Sequence, residues 1–230
     1  DRLEDPKTGQ MILPGVQVDI PAEQQVYIKD TAKVLGNVIH EEFPFVEGAQ
    51  PVSNDLEELV TNRTWRPTLS ITGVDGMPAL ENAGNVLRTH TSLKLSIRLP
   101  PTLDPQVMID AVKTAVETDV PYNAQVEFEP EKGAQGWMAP KMSQWLLDSC
   151  MEAFKSFYNK PSCAFGEGGT IPLMGMLSRC FPGVQFIITG VLGPASNAHG
   201  PNEFLHCGMG KKLTMCVAKI IGDHYLNTKK

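Results

Sequence analysis

The chain has 230 residues, 42% hydrophobic and 20% charged, with a formal net charge of −6. That length suits one large domain or two modest ones, and the acidic balance argues against a nucleic-acid partner and supplies no basic patch for a membrane surface. No apolar run approaches the ~20 residues needed to span a bilayer.

Asp1-Arg2-Leu3-Glu4-Asp5 carries neither an initiator Met nor a signal peptide, so a chain cut from a longer precursor is expected. Met11-Ile12-Leu13-Pro14-Gly15 reads as a short strand-like run ended by a turn. Pro21 is assigned to the first helical position, where it is favoured. From Ala22 to about Phe43 the positions Val26, Ile28, Val34, Leu35, Val38 and Ile39 follow a helical stripe. Ser53 is expected to cap a second short helix, with Asp55, Glu57 and Glu58 on its first turn matching the helix dipole. Two alternating strands follow, Pro67 to Gly73 and Ser92 to Leu99. In the second, Leu93, Leu95, Ile97 and Leu99 share one face while Lys94, Ser96 and Arg98 share the other. Asp104-Pro105 opens a helix to about Thr118 with Met108, Ile109, Val112, Ala115 and Val116 inward. Gln125-Val126-Glu127-Phe128-Glu129 reads as a closing strand. The order predicts an antiparallel sheet with helices on one face.

Gly133-Ala134-Gln135-Gly136 is the expected boundary. Beyond it, Met142 to Tyr158 is an amphipathic helix with Trp145, Leu146, Cys150, Phe154 and Phe157 on its apolar side. A helix from about Ile171 to Leu177 follows a Gly-Gly turn. Val184 to Gly190 reads as a buried strand, and Phe204 to His224 as a final helix with Leu205, Met209, Leu213, Val217 and Ile220 in register. One strand cannot make a sheet alone, a second sign that the chain is part of something larger. The fold class is therefore α/β: an α+β unit over residues 1–132 and a partial α/β unit over residues 136–230. Five cysteines at irregular spacing, with no CxxC pair, read as free thiols of a reducing cytoplasm.

Three places could carry chemistry. His199, in Asn197-Ala198-His199-Gly200-Pro201-Asn202-Glu203, is either a solvent-facing loop histidine or a metal ligand at the end of an apolar strand; Cys207 is a second candidate ligand beside it. Glu167-Gly168-Gly169-Thr170 is either a common Gly-rich helix entrance or a cradle of N–H groups and a hydroxyl for an anion. It lacks the length and Lys of a phosphate-binding loop. Arg98 is either a solvated edge charge or a guanidinium fork for a carboxylate.

Leu3-Glu4-Asp5-Pro6-Lys7-Thr8-Gly9, Ile12-Leu13-Pro14-Gly15, Trp65 to Gly73, Ser96 to Pro100, Gly166 to Pro172 and Ala198 to Glu203 stand in an order that resembles the C-terminal half of the cytosolic nonspecific dipeptidase and carnosinase group. That group lies within the wider dinuclear-zinc peptidases, which include glutamate carboxypeptidases. The resemblance implies a dimerising lid over residues 1–132 and the C-terminal part of a catalytic domain over residues 136–230. It assigns His199 as a zinc ligand and Arg98 as the grip on the substrate's C-terminal carboxylate, with Asn85, Gly169 and Thr170 as further substrate contacts. It implies two zinc ions, with manganese or cobalt as alternatives, a dipeptide or small peptide substrate, a homodimer and a cytoplasmic setting. No general base matches within this chain, so by itself it is expected to hold zinc weakly and to be inactive. Gly166 and Thr170 stand where carnosinase-like enzymes show Arg and Ser, and Met142-Ser143 where some relatives place a histidine; both turn the expectation away from carnosine. The alternative reading is a non-catalytic dimerisation protein.

Overall fold

The computed structural model describes residues 1–166, 172–193 and 195–228. Pro21, with φ −55° and ψ 142°, stands just outside the first helix rather than within it, and α1 runs Ala22–Leu35. The expected helix to Phe43 breaks at Gly36, whose φ of 54° is left-handed and ends the helix. A short α2, Val38–Glu41, continues beyond it. The stripe is narrower than the sequence reading: Ile28, Thr31, Ala32 and Ile39 are buried, while Val26, Val34 and Val38 are exposed.

The third helix, α3, spans Leu56–Thr64, and its cap is Asp55, not Ser53. The Asp55 carboxylate accepts from the Glu57 and Glu58 N–H groups. The Ser53 hydroxyl sits one step out, accepting from the Asp55 N–H and donating to Glu58. An aspartate directly before the first turn takes the cap because its carboxylate reaches two free N–H groups and adds charge at the positive dipole end. Together α1, α2 and α3 close a core of Ile28, Ala32, Ile39, Val60 and Trp65.

Strands β1 (Thr68–Asp75) and β2 (Ser92–Arg98) pair antiparallel, with Leu69 opposite Ile97 and Ile71 opposite Leu95. A bulge at Thr72 restores the phase, so Val74 meets Leu93. In a regular ladder Val74, three positions on, would face the opposite side from Ile71, because side chains alternate with period two. Helix α4, Pro105–Glu117, is capped by Asp104 with Pro105 in its first turn, as the sequence predicts. Met108 and Val112 on α4 pack with Met11, Leu13, Val16 and Leu103, and Leu69, Ile97 and Leu99 border that core. Arg2 ties the N-terminal segment to the C-terminal end of α4, donating to the carbonyls of Ala115, Thr118 and Asp119, a favourable place for a cation.

Three expected strands do not form ladders. Met11 contributes an isolated bridge to Glu4. Residues 125–129 lie outside the sheet, and the Phe128 N–H donates to the Glu117 carboxylate instead. Val184 to Gly190 joins no ladder and is partly exposed rather than buried. Their apolar patterns suit strands, but a strand exists only with a partner for its backbone groups.

Helix α5 (Gln144–Tyr158) packs on α7 (Cys207–Thr228), and α6 (Pro172–Cys180) precedes the unpaired segment. The α5–α7 core is Leu146, Cys150, Ala153, Cys216 and Ile220. Leu205 and Val217, expected inward, are exposed, and Cys216 takes the inward place. A polar pin crosses this contact. Asp223 accepts from the buried Ser149 hydroxyl at 2.6 Å and from Lys219 at 2.7 Å, and Lys219 also reaches Glu152 at 3.1 Å. The Lys219 hydrogen bond, then that from Ser149, holds the Asp223 carboxyl below its ordinary pKa of 3.8. Its stabilisation is therefore present above 3.8 and is lost as pH falls through the lowered value. Lys219 is shifted up by the same pair, so its share is present below 10.5 and is lost as pH rises through the raised value. Asp223→Ala is expected to cost about 1–3 kcal/mol at neutral pH, because it leaves the Ser149 hydroxyl without an acceptor. Thermal unfolding against pH checks this: the gap between wild type and variant should narrow on acidification as the charge-assisted part is lost. A gap unchanged at pH 2 would remove the ionised pin from the account.

Candidate functional site

A cleft of about 2650 Å³ runs beneath the sheet. Its walls include β2 and the following Leu99, residues 126–142, Cys163 to Gly166, and Met174, Ser178 and Phe186. The volume exceeds the ~300–1,000 Å³ of a small-ligand pocket, so this is an open cleft rather than a pocket shaped to one small ligand. Trp137 organises the lower wall: its indole N–H donates to the Ser178 hydroxyl at 2.8 Å, and its ring meets Phe186 edge-on at 4.9 Å.

Arg98 is the last residue of β2, opposite Thr68, and lies on the cleft wall. The period-two strand puts it opposite in direction to Ile97, whose side borders the core. A guanidinium there can present a planar fork of donors to a carboxylate in the cleft. Residues 163–166 line the same cleft. Gly169 and Thr170 lie outside the described residues.

Asn85 and His199 do not line this cleft. Asn85 sits in the exposed excursion between β1 and β2, beside Leu87, which is 99% exposed. His199 is exposed and adopts a left-handed φ of 64°. Its N–H donates to the Glu203 carboxylate at 3.3 Å, and Asn197 closes the same turn by donating to the Pro201 carbonyl at 2.7 Å. The loop is thus shaped by its own side chains, as its Asn and Gly content predicts. Cys207 is exposed, with its thiol 3.8 Å from the Leu205 carbonyl. Among the described residues, no group of three or more His, Cys, Asp or Glu side chains is placed to hold a metal ion. A catalytic zinc takes about three protein ligands, more than the described residues around His199 bring together. No helix among the described residues is long and apolar enough to cross a membrane.

Sequence reasoning passed over Thr31 and Arg63, which hold the cleft segment 163–166 against the first and third helices. Nothing local marks them: Thr31 reads as a polar helix residue and Arg63 as a surface charge.

Comparison with known proteins places these features. Residues 20–123 match the model of a peptidase dimerisation domain of the M20 group. The cysteinylglycine-S-conjugate dipeptidase of Corynebacterium striatum is 23% identical over 203 residues, covering 85% of this chain and 41% of that protein. The M20 family metallo-carboxypeptidase Sso-CP2 from Sulfolobus solfataricus superposes with a TM-score of 0.70 at 18% identity, over 96% of this chain and 49% of that one. Human carnosine dipeptidase 1 superposes at 0.69 and 18%, over 96% and 46%. The dipeptidase Dug1p from Saccharomyces cerevisiae superposes at 0.71 and 19%, over 95% and 46%. The chain thus spans about half the length, or less, of the proteins it matches. It shares the fold of these M20 peptidases across nearly all its length, and residues 20–123 are similar to their peptidase dimerisation domain.

Proposed function

We propose that this chain supplies the dimerisation lid and the C-terminal catalytic portion of a metal-dependent peptidase that hydrolyses dipeptides or removes C-terminal residues. The single observation that carries the reading is Arg98 on the cleft wall, at the end of a strand inside the matched dimerisation domain. A free C-terminal carboxylate is the ligand that a guanidinium fork selects. In this reading residues 1–132 form the lid and dimerise, and residues 136–230 belong to the catalytic domain. Asn85, Gly169 and Thr170 contact substrate, and His199 is one ligand of a metal pair, zinc first, whose other ligands come from outside this chain. The relatives, dipeptidases and a metallo-carboxypeptidase, support it. The five free cysteines suit a cytoplasmic setting.

The test uses the full-length protein, a panel of dipeptides, and the same dipeptides with amidated C-termini. Hydrolysis of the free acids is expected, lost on chelation and restored by zinc, with the amides spared. Hydrolysis indifferent to chelation, or equal for acids and amides, would overturn the reading. The match confined to residues 20–123 favours one second reading, a non-catalytic dimerisation protein. A dimer that hydrolyses none of the panel would establish it.

A further inference from the structure

Six large apolar side chains line the cleft away from β2: Trp137, Met174, Phe181, Val184, Phe186 and Ile188. Among the described residues, none of the six belongs to the core of α1–α3, to that of α4 or to that of the α5–α7 pair. Phe181 and Ile188 are 59% and 54% exposed, and Trp137, Met174 and Phe186 are half-buried. Exposed apolar residues scattered singly are ordinary, but six gathered along one cleft make the kind of surface that marks a ligand groove. The polar groups among them are already paired. The Trp137 indole N–H is satisfied by Ser178, and the Gln185 side chain accepts from the Ser143 N–H at 2.6 Å. The Val184 N–H closes a turn onto the Phe181 carbonyl at 3.1 Å. What this wall offers the cleft is therefore apolar area, which is non-directional and selects by hydrophobicity rather than by hydrogen bonding.

We infer that this wall is the subsite for a substrate side chain, and that Trp137 and Phe186 make the protein selective for dipeptides carrying a large apolar side chain. The inference rests on the peptidase reading above and names its substrate class. Arg98 lines the same cleft, so a dipeptide that gives it a carboxylate has its side chains still to place. An apolar side chain leaves water for this wall, whereas a charged one would lose its hydration there. The cleft is open rather than fitted, so the preference is for a class of side chain and not for one residue.

The experiment takes the full-length protein and compares kcat/KM for the dipeptide Leu-Leu with that for Gly-Gly. Wild type is expected to favour Leu-Leu by about 10- to 100-fold, the scale of burying apolar side chains. Trp137→Ala and Phe186→Ala should each cut that ratio roughly 3- to 10-fold while kcat/KM for Gly-Gly stays within about twofold. Trp137→Phe should keep most of the ratio, because it retains an aromatic ring and loses the bond to Ser178. A variant that only disturbs the fold lowers both substrates together, so the ratio isolates the subsite, and Phe186→Ala serves if Trp137→Ala fails to fold. A wild-type ratio near one would overturn the inference and leave the wall as a face that packs against residues outside this chain. A high ratio that neither alanine variant changes would overturn it by placing the selectivity elsewhere. A protein that hydrolyses neither dipeptide would instead defeat the peptidase reading. Calorimetric binding of the two dipeptides would then decide the wall: Leu-Leu bound about tenfold more tightly upholds it, and equal binding overturns it.

Discussion

Arg98→Ala in the full-length protein is expected to raise KM for a dipeptide by about 10- to 100-fold while kcat changes little. A charge-assisted hydrogen bond contributes roughly 1.5–3 kcal/mol, and the carboxylate at the end of the substrate keeps its charge throughout peptide hydrolysis. An interaction made equally in the ground and transition states is uniform binding, and its loss appears in KM. Arg98→Lys should recover part of the loss, since an ammonium keeps the charge without the planar fork. The check is steady-state kinetics on a dipeptide and its C-terminal amide. The amide, followed as an inhibitor of that hydrolysis, should bind wild type and Arg98→Ala alike. Unchanged KM and kcat on the free acid would remove Arg98 from the site.

Val112→Asp is expected to unfold the dimerisation domain, at a cost of about 4 kcal/mol or more. Val112 is 1% exposed and sits between α4, the N-terminal segment and the sheet, among Met11, Leu13, Val16 and Met108. A carboxylate placed among these apolar side chains would lose its hydration or take up a proton. Val107→Asp is the matched control. It lies on the same helix at 41% exposure, in the first turn, where a carboxylate suits the dipole. Circular dichroism and thermal unfolding should show a lost or strongly lowered transition for Val112→Asp and a shift of only a few degrees for Val107→Asp. Equal effects would mean that α4 does not pack as described.

What the sequence disclosed was what neighbouring residues decide. Asp104-Pro105 announces the start of α4 because the cap, the preset proline φ and the apolar spacing all lie within one or two turns. The alternation from Ser92 to Leu99 announces β2, and the carboxylates near α3 announce its first turn. Even there the cap moved from Ser53 to Asp55, since two good capping residues compete and the one adjoining the turn prevails. Val184 to Gly190 shows the opposite case. Its composition is that of a buried strand, yet among the described residues it has no ladder, because pairing depends on another segment and not on the strand itself.

The candidate site divides along the same line. Arg98 was legible as the polar face of an alternating strand, and the motif order from Leu3 to Glu203 was enough to point to the M20 peptidases to which the comparisons find the chain similar. The separation of His199 and Asn85 from the cleft, the bulge at Thr72 and the seating of Cys163–Gly166 on α1 and α3 were decided only by tertiary structure. Local propensity acts across a few residues through backbone sterics and short hydrogen bonds. A contact such as Thr31 to Ala164 joins segments 133 positions apart, and it exists because burying the helical face brings that hydroxyl to that carbonyl.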